Sequence, residues 1–450
     1  MTKDRCLSEK SLAVKTPDAV QQSALAVGSG GADRLNHDCF CITLDRSVLL
    51  ETLDAGADFP GFAADLARTH PSLFSNVPVF VSRVMMAIME SVVAAAEAAA
   101  KLDGFVAAAM TWAPPTARAD FGPIGALMGY DFHITDDGPR LIEINTNAGG
   151  AFLNFALARA QRACCLQVQS LVDRIAPQQN FADQVVAMFI AEWQLQRGVG
   201  RPSTIAIVDD DPDAQFLLPE FKLAQAILEA AGIRTVIADP GKFRFDGATL
   251  TLDGLAIDLI YNRLVDFALA EDSHAALAAA YNCGVVVVSP NPHNHALLAN
   301  KRNLSLLSDP AALKSWGLSA PHRAALQLAV PETVIVSPVN ADSLWANRRN
   351  LFFKPADGYG SKAAYRGEKL TRKVRAEIQS RDYVAQCYAP PSNRIVMQNE
   401  STTEFKTDIR LYTYAGSTVL AAARLYQGQT TNMRTPGGGF APVLQIDSAN

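Results

Sequence analysis

The run LIEINTNAGG, beginning at Leu141, sets an acid and an amide into an otherwise apolar strand. Side chains on a strand alternate between faces, so Glu143 and Asn145 share one face and Ile142 and Ile144 the other. A buried carboxylate on such a face needs a partner. The preceding YDFHITDDGPR supplies one. Its two alternating runs flank Asp136-Asp137-Gly138, a hairpin signal with glycine available for a left-handed turn position. A three-residue turn centred on Asp137 sets residue 135 opposite 139 and, counting outward, Asp131 opposite Glu143; a bulge would shift this register by one residue. Like charges directly opposed destabilise a sheet. A divalent cation between them turns the liability into a site. Asp131, Glu143 and Asn145 offer hard oxygens suited to Mg²⁺, which keeps some water and bridges phosphate oxygens. The competing reading is an ordinary solvated pair of strands.

Cationic groups form the counterpart. In FFKPADGYGSK, Lys354 ends an apolar strand and two glycines follow, so a cation and backbone N–H groups can meet a phosphate. This is not a GxxxxGK[ST] loop. Arg410 in TDIRLYTY and Arg424 in AAARLYQ fall on adjacent predicted strands, and Arg434 precedes the glycine run of RTPGGGF. Three arginines near one sheet suit phosphates or an anionic intermediate. Singly, each reads as a surface cation. His293 and His295 have an HxH spacing, but their place between a strand and a helix favours loop polar residues over a zinc site.

These groups must be held by a large fold. The chain has 450 residues, 49% hydrophobic and 19% charged, which describes an ordinary globular protein rather than a disordered one. A net charge of −5 without a basic run excludes a nucleic-acid footprint. The seven cysteines are an odd, scattered set and read as idle thiols, including Cys39 and Cys41 beside His37. MTKDRCLSEK is too charged for a signal peptide, and the greasiest stretch, at 77–101, carries Arg83 and Glu90, so no membrane span and a cytoplasmic location are expected.

The coarse pattern is α/β. A helix is expected over about 82–101, helical sequence over about 151–197, and a boundary at VGRPS near 199. TIAIVDD, FKLAQAILEAAG and IRTVIAD then form a βαβ unit of a parallel sheet, with IDLIYNR and GVVVVSP as further strands. ALLANKRNLSLLSD reads as a helix; NLFFKPA, DYVAQCY, KTDIRLYTYAG and TVLAAARLYQG read as strands. The turn VDDDPDAQF lacks GxGxxG, which argues against a dinucleotide-binding oxidoreductase.

Taken together, the parts resemble the ATP-grasp ligase superfamily from about residue 120 onward. There, a segment like VDF…DG…LLEVNTSPG holds Mg²⁺; here YDFHITDDGPRLIEINTNAGG is similar to it, and the resemblance assigns Asp131, Glu143 and Asn145 to the metal. It assigns Lys301 and Lys354 to ATP phosphates and the loop of Asp357, Gly358 and Gly360 to covering them. DYVAQCY, around Gln386 to Tyr388, resembles the hinge strand whose backbone recognises adenine. DIRLYTY, with Asp408 and Arg410, is similar to the DIR strand of glutamate-adding members.

The metal segment precedes the other parts, as in circularly permuted members typified by eukaryotic-type glutathione synthetase. The resemblance implies a circularly permuted ATP-grasp fold with an inserted Rossmann-like substrate domain and a lid. Its units would span 1–198, 199–295, 296–390 and 391–450. Arg263, in YNR, matches an arginine facing substrate, with Asn147 and Arg424 also on the substrate side; Arg410 and Arg434 match catalytic positions near a phosphorylated intermediate. RTPGGGF and DGYGSK would act as lids. The implied reaction joins a small acid to an amine with ATP and Mg²⁺ through an acyl phosphate, in a homodimer. Two departures touch the dipeptide pocket. Leu127-Met128-Gly129 stands where that family has a substrate arginine, and a serine-bearing loop is shortened to Asn147-Ala148. The alternative is a relative that binds a nucleotide or peptide without turnover.

Overall fold

The computed structural model describes residues 30–57, 60–162, 180–358, 363–398 and 400–447. It is a mixed α/β protein with several sheets. The largest is seven-stranded. Its order runs Val79–Ser82, Gly439–Ile446, Ser417–Tyr426, Ser401–Tyr414, Met128–Thr135, Gly138–Asn145, and Ser392–Gln398 pairs beside the first half of Ser401–Tyr414. All neighbours are antiparallel except Val79–Ser82 with Gly439–Ile446.

Period-two alternation sorts the two faces. Tyr130, Phe132, Ile409, Leu411, Ala423 and Leu425 enter one core with Val92 and Val93 of the helix Arg83–Ala99. The residues between them, Asp131, Arg410 and Arg424, belong to the opposite face. The helix starts where Ser82 Oγ accepts the Met85 N–H at 3.3 Å, satisfying a donor that the first turn leaves free.

A second sheet is four-stranded and parallel, in the order Val287–Ser289, Leu259–Asn262, Thr204–Val208, Arg234–Ala238. The helix Leu218–Ala230 joins its last two strands, and Gly232, at φ 75°, ends the turn after it. A third sheet, antiparallel, orders Thr333–Ile335, Tyr383–Cys387, Leu351–Pro355 and Tyr365–Arg366.

Several expectations need correction. The helical sequence at 151–197 is two described helices, Ala151–Arg159 and Phe181–Arg197, with 163–179 outside the described residues. ALLANKRNLSLLSD is not one helix: a π-helical turn covers His295–Ala299, Lys301 lies in a turn, and a short helix restarts at Asn303–Leu307. There, the Arg302 N–H donates to Asn300 Oδ1 and the Lys301 N–H to the Ala356 carbonyl, each at 3.0 Å, bonds that compete with helix continuation. Cys41 is disulfide-bonded, so the reading of idle thiols fails for it; Cys39, Cys283 and Cys387 form no disulfide. Among the described residues, no helix is long and apolar enough to cross a membrane.

Candidate functional site

The hairpin reaches the expected pairing by a different route. Its loop has two residues, with Thr135 opposite Gly138, not three. Gly138 takes φ 99°, a conformation that glycine adopts without penalty. That register alone would miss Glu143 by one residue. A bulge at Ile142 restores it: Phe132 pairs with Leu141, and Asp131 pairs with Glu143. The bulge also lets Leu141 face the core while Glu143 faces the site, and it turns Ile142 toward the cleft rather than the core.

The next strand adds Arg410 directly opposite Asp131, and the one beyond sets Arg424 opposite Asp408. Arg410 grips Asp131 through Nε and Nη2, both at 2.6 Å. Arg424 reaches Asp131 at 2.9 Å and Asp408 at 2.6 Å. Burial alone would raise the Asp131 carboxyl, but the two guanidiniums hold it well below the ordinary carboxylate range. Asn145 Nδ2 lies 3.2 Å from Asp131 Oδ2 and 3.4 Å from Glu143 Oε1. Amide orientation is an assignment; turned over, Asn145 presents oxygen to the same point. Asp131 Oδ1 has one guanidinium donor and keeps a free lone pair. The three side chains thus converge as oxygen donors that fit a divalent ion, with the correction that Asp131 is shared with Arg410 and Arg424.

This face lines a cleft of about 860 Å³ between the large sheet and the antiparallel one. Asp131, Glu143, Lys301, Lys354, Gly358, Gln386, Tyr388 and Arg424 all reach it. Lys354 Nζ donates to the Ile142 carbonyl at 2.6 Å and to Gln386 Oε1 at 2.8 Å. The bulged residue thus supplies an acceptor that a regular ladder would have used. Burial pulls the Lys354 ammonium down to about 8, and Glu143 opposes that shift. Lys301 Nζ donates to the Gly358 carbonyl. Asp357 accepts from Asn300 and Arg302 and does not line the cleft. Gly360 lies outside the described residues.

The hinge needs revision. The backbone N–H groups of Cys387 and Tyr388 are spent inside the protein, on Glu332 and Asn350, each at 2.8 Å. What this edge offers instead is a planar wall: Phe352 and Tyr388 stack with centroids 6.4 Å apart, and Arg366 lies 4.4 Å from the Tyr388 centroid. Gln386 Nε2 is buried without a hydrogen-bond partner.

Other expected residues lie elsewhere. Arg434 is exposed and outside the cleft lining. The last two glycines of RTPGGGF pack closely against backbone. A Cβ on Gly438 would meet the Leu425 carbonyl at 2.4 Å, and one on Gly439 the Ser72 carbonyl at 2.3 Å, so these glycines permit close packing at the start of the strand Gly439–Ile446. Arg263 and Asn147 form a separate group at the parallel sheet. Arg263 is 5% exposed and donates to the Asn147 carbonyl at 2.9 Å, with Asp209, pushed up to about 6 by burial, nearby. His293 Nδ1 meets the Ala117 carbonyl at 2.7 Å, and His295 stacks on Phe267. Lys406, Phe352 and Thr431 line the cleft without having stood out in the sequence. Lys406 was findable, because it lies two residues before Asp408 on the same face.

No family model and no curated protein matches this sequence. Among solved structures, the chain is similar to a glutathione synthetase-like effector from Globodera pallida in its apo form. They are 12% identical with a TM-score of 0.56, covering 90% of this chain and 99% of that one. That likeness shows a shared fold. A protein described as a gamma-glutamylcysteine synthetase from Methylobacillus flagellatus KT aligns at 12% identity and a TM-score of 0.45, covering 76% of this chain and 85% of that one. The ATP-grasp ligase PsnB with its minimal precursor aligns at 13% identity and a TM-score of 0.29, over 56% of this chain and 92% of that one.

Proposed function

We propose that this protein is an ATP- and Mg²⁺-dependent ligase that joins a small carboxylic acid to an amine through an acyl phosphate. Its fold would be a circularly permuted ATP-grasp arrangement, with the parallel sheet as an inserted substrate domain, working as a homodimer in the cytoplasm. One observation supports this most: Asp131, Glu143 and Asn145 converge in the same cleft as Lys301 and Lys354.

Magnesium, when bound, supplies charge neutralisation at phosphate oxygens. Asp131, Glu143 and Asn145 would hold it. Lys301 and Lys354 would bind the phosphates, and the Phe352–Tyr388 wall would orient a planar base. Arg424 lines the cleft and balances negative charge building on the transferring group, while Arg410 keeps Asp131 ionised and in place behind it. Such chemistry asks little of the protein beyond positioning. Arg263 and Asn147 would meet the amine or acid at the parallel sheet. The second reading, a nucleotide-binding module, draws on one fact: Asp131 already accepts from two guanidiniums.

The test is ADP release with Mg²⁺ across acids and amines, γ-glutamylcysteine with glycine first. Turnover with one acid–amine pair is expected, and Glu143→Gln should lower it by roughly 100-fold or more while the fold persists. Undiminished turnover would remove Glu143 from the metal shell. Tight ATP binding without ADP release for any pair would favour the module.

A further inference from the structure

One group of side chains outside the cleft has no part in this reaction. Asp210 follows the strand Thr204–Val208, Asp266 follows Leu259–Asn262, and Glu271 and His274 lead into the helix Ala275–Asn282. Between these two strands the order of the parallel sheet reverses, and the carboxyl ends at such a point are where open α/β sheets take ligands. His274 is fully buried. Its Nδ1 lies 2.8 Å from Asp266 Oδ2, and its Nε2 lies 2.8 Å from Asp210 Oδ1. Asp266 is itself fixed, accepting the N–H groups of Ala268 at 3.2 Å and Glu271 at 2.9 Å. One ring nitrogen of His274 and one carboxylate oxygen from each of Asp210 and Glu271 lie within 4.8 Å of one another.

We propose that Asp210, Glu271 and His274 bind a divalent transition-metal ion of the zinc class, separate from the magnesium site of the cleft. A carboxylate behind Nδ1 holds the imidazole in the tautomer whose Nε2 lone pair points away from it, the usual backing of a metal-bound histidine. Asp266 occupies that place, and its rigidity is independent of the metal. The ion would take the position of the proton that otherwise bridges Nε2 and Asp210. Three carboxylates face one imidazole here, and the ion pairs of Asp210 and Asp266 are made to His274, so a double positive charge is matched. One nitrogen and two oxygens suit zinc better than magnesium, whose ligands are oxygens. Three protein ligands leave a fourth position for water or a bound molecule in the crevice. Without an ion, the two ring nitrogens of His274 face Asp266 and Asp210.

The full chain, without nucleotide, is dialysed against Zn²⁺ and titrated with Co²⁺ as a spectroscopic probe. One ion per chain is expected, retained in Glu143→Gln. Binding should weaken about 100-fold in His274→Gln and roughly 10- to 100-fold in Asp266→Asn, which removes only the backing carboxylate. Glu271→Gln alters an exposed residue, so it tests the site even if the buried variants fail to fold; a loss of about 10-fold or more is expected there. No bound ion in the unaltered protein, unchanged affinity in Glu271→Gln, or loss of the ion in Glu143→Gln would each overturn the proposal.

Discussion

Lys354 is the cation of the cleft whose charge is least secure. It is 5% exposed, and two of its contacts are a carbonyl and an amide oxygen, which are dipoles rather than charges. Burial disfavours the ammonium, Lys301 adds to that, and Glu143 and Asp131 oppose it, leaving a value of about 8. For a lysine the sign is clear. A folded-state value below the unfolded one means that stability rises as pH climbs from about 8 towards the unfolded value, because the buried charge is relieved. Phosphate binding needs that charge and runs the other way. Nucleotide affinity should therefore fall above pH 8, approaching about tenfold per pH unit for a single deprotonation. In Lys354→Arg, whose charge does not titrate, the decline should vanish even if affinity is lower throughout. Titration of a fluorescent nucleotide between pH 7 and 9.5 reads this directly. An equal decline in the arginine variant would assign it to another group.

At the level of elements, the hairpin shows what local sequence conveys and what it does not. Asp131 opposite Glu143 was readable, but through two departures that cancel: a loop one residue shorter than expected and a bulge at Ile142. The first follows from Gly138 accepting φ 99° just after a tight loop. The second has a tertiary cause, since the Ile142 carbonyl receives Lys354 from a strand more than 200 residues away. For the same reason the partnership of Asp131 with Arg410 and Arg424 was not legible: it depends on strands from the two ends of the chain lying side by side. In RTPGGGF glycine reads as freedom from sequence alone, whereas Gly438 and Gly439 are there for close contact. Deletion of Ile142 tests the bulge. Leu141 and Glu143 then become consecutive, so regular alternation keeps Leu141 in the core and Glu143 in the cleft, while the carbonyl that receives Lys354 is lost. A denaturation midpoint close to the wild-type value together with weakened nucleotide binding is expected; wild-type affinity would show that the bulge is incidental.

For the whole molecule, the question is what keeps the parallel sheet aligned with the large one, since the proposed reaction uses both. Glu192, on the helix Phe181–Arg197, is fully buried. It accepts the Ile124 N–H at 3.1 Å, the Gly125 N–H at 2.9 Å, Ser289 Oγ at 2.5 Å and Tyr414 OH at 3.0 Å. Ser289 ends a strand of the parallel sheet and Tyr414 ends one of the large sheet, so a single carboxylate ties the two together. Burial pushes its carboxyl upward despite the four donors, which marks it as a costly group held in place by its partners. Glu192→Ala strands the two backbone donors at roughly 1–3 kcal/mol each and cuts the tie. Glu192→Gln keeps the shape but turns an N–H₂ towards donors, so it should fall between the two. If the tie couples the sheets, thermal unfolding of the alanine variant should begin at a lower temperature, and probes of the two sheets should no longer melt together. Coincident melting at the wild-type temperature would mean that the sheets are aligned by their other contacts, such as that of Arg263 with the Asn147 carbonyl.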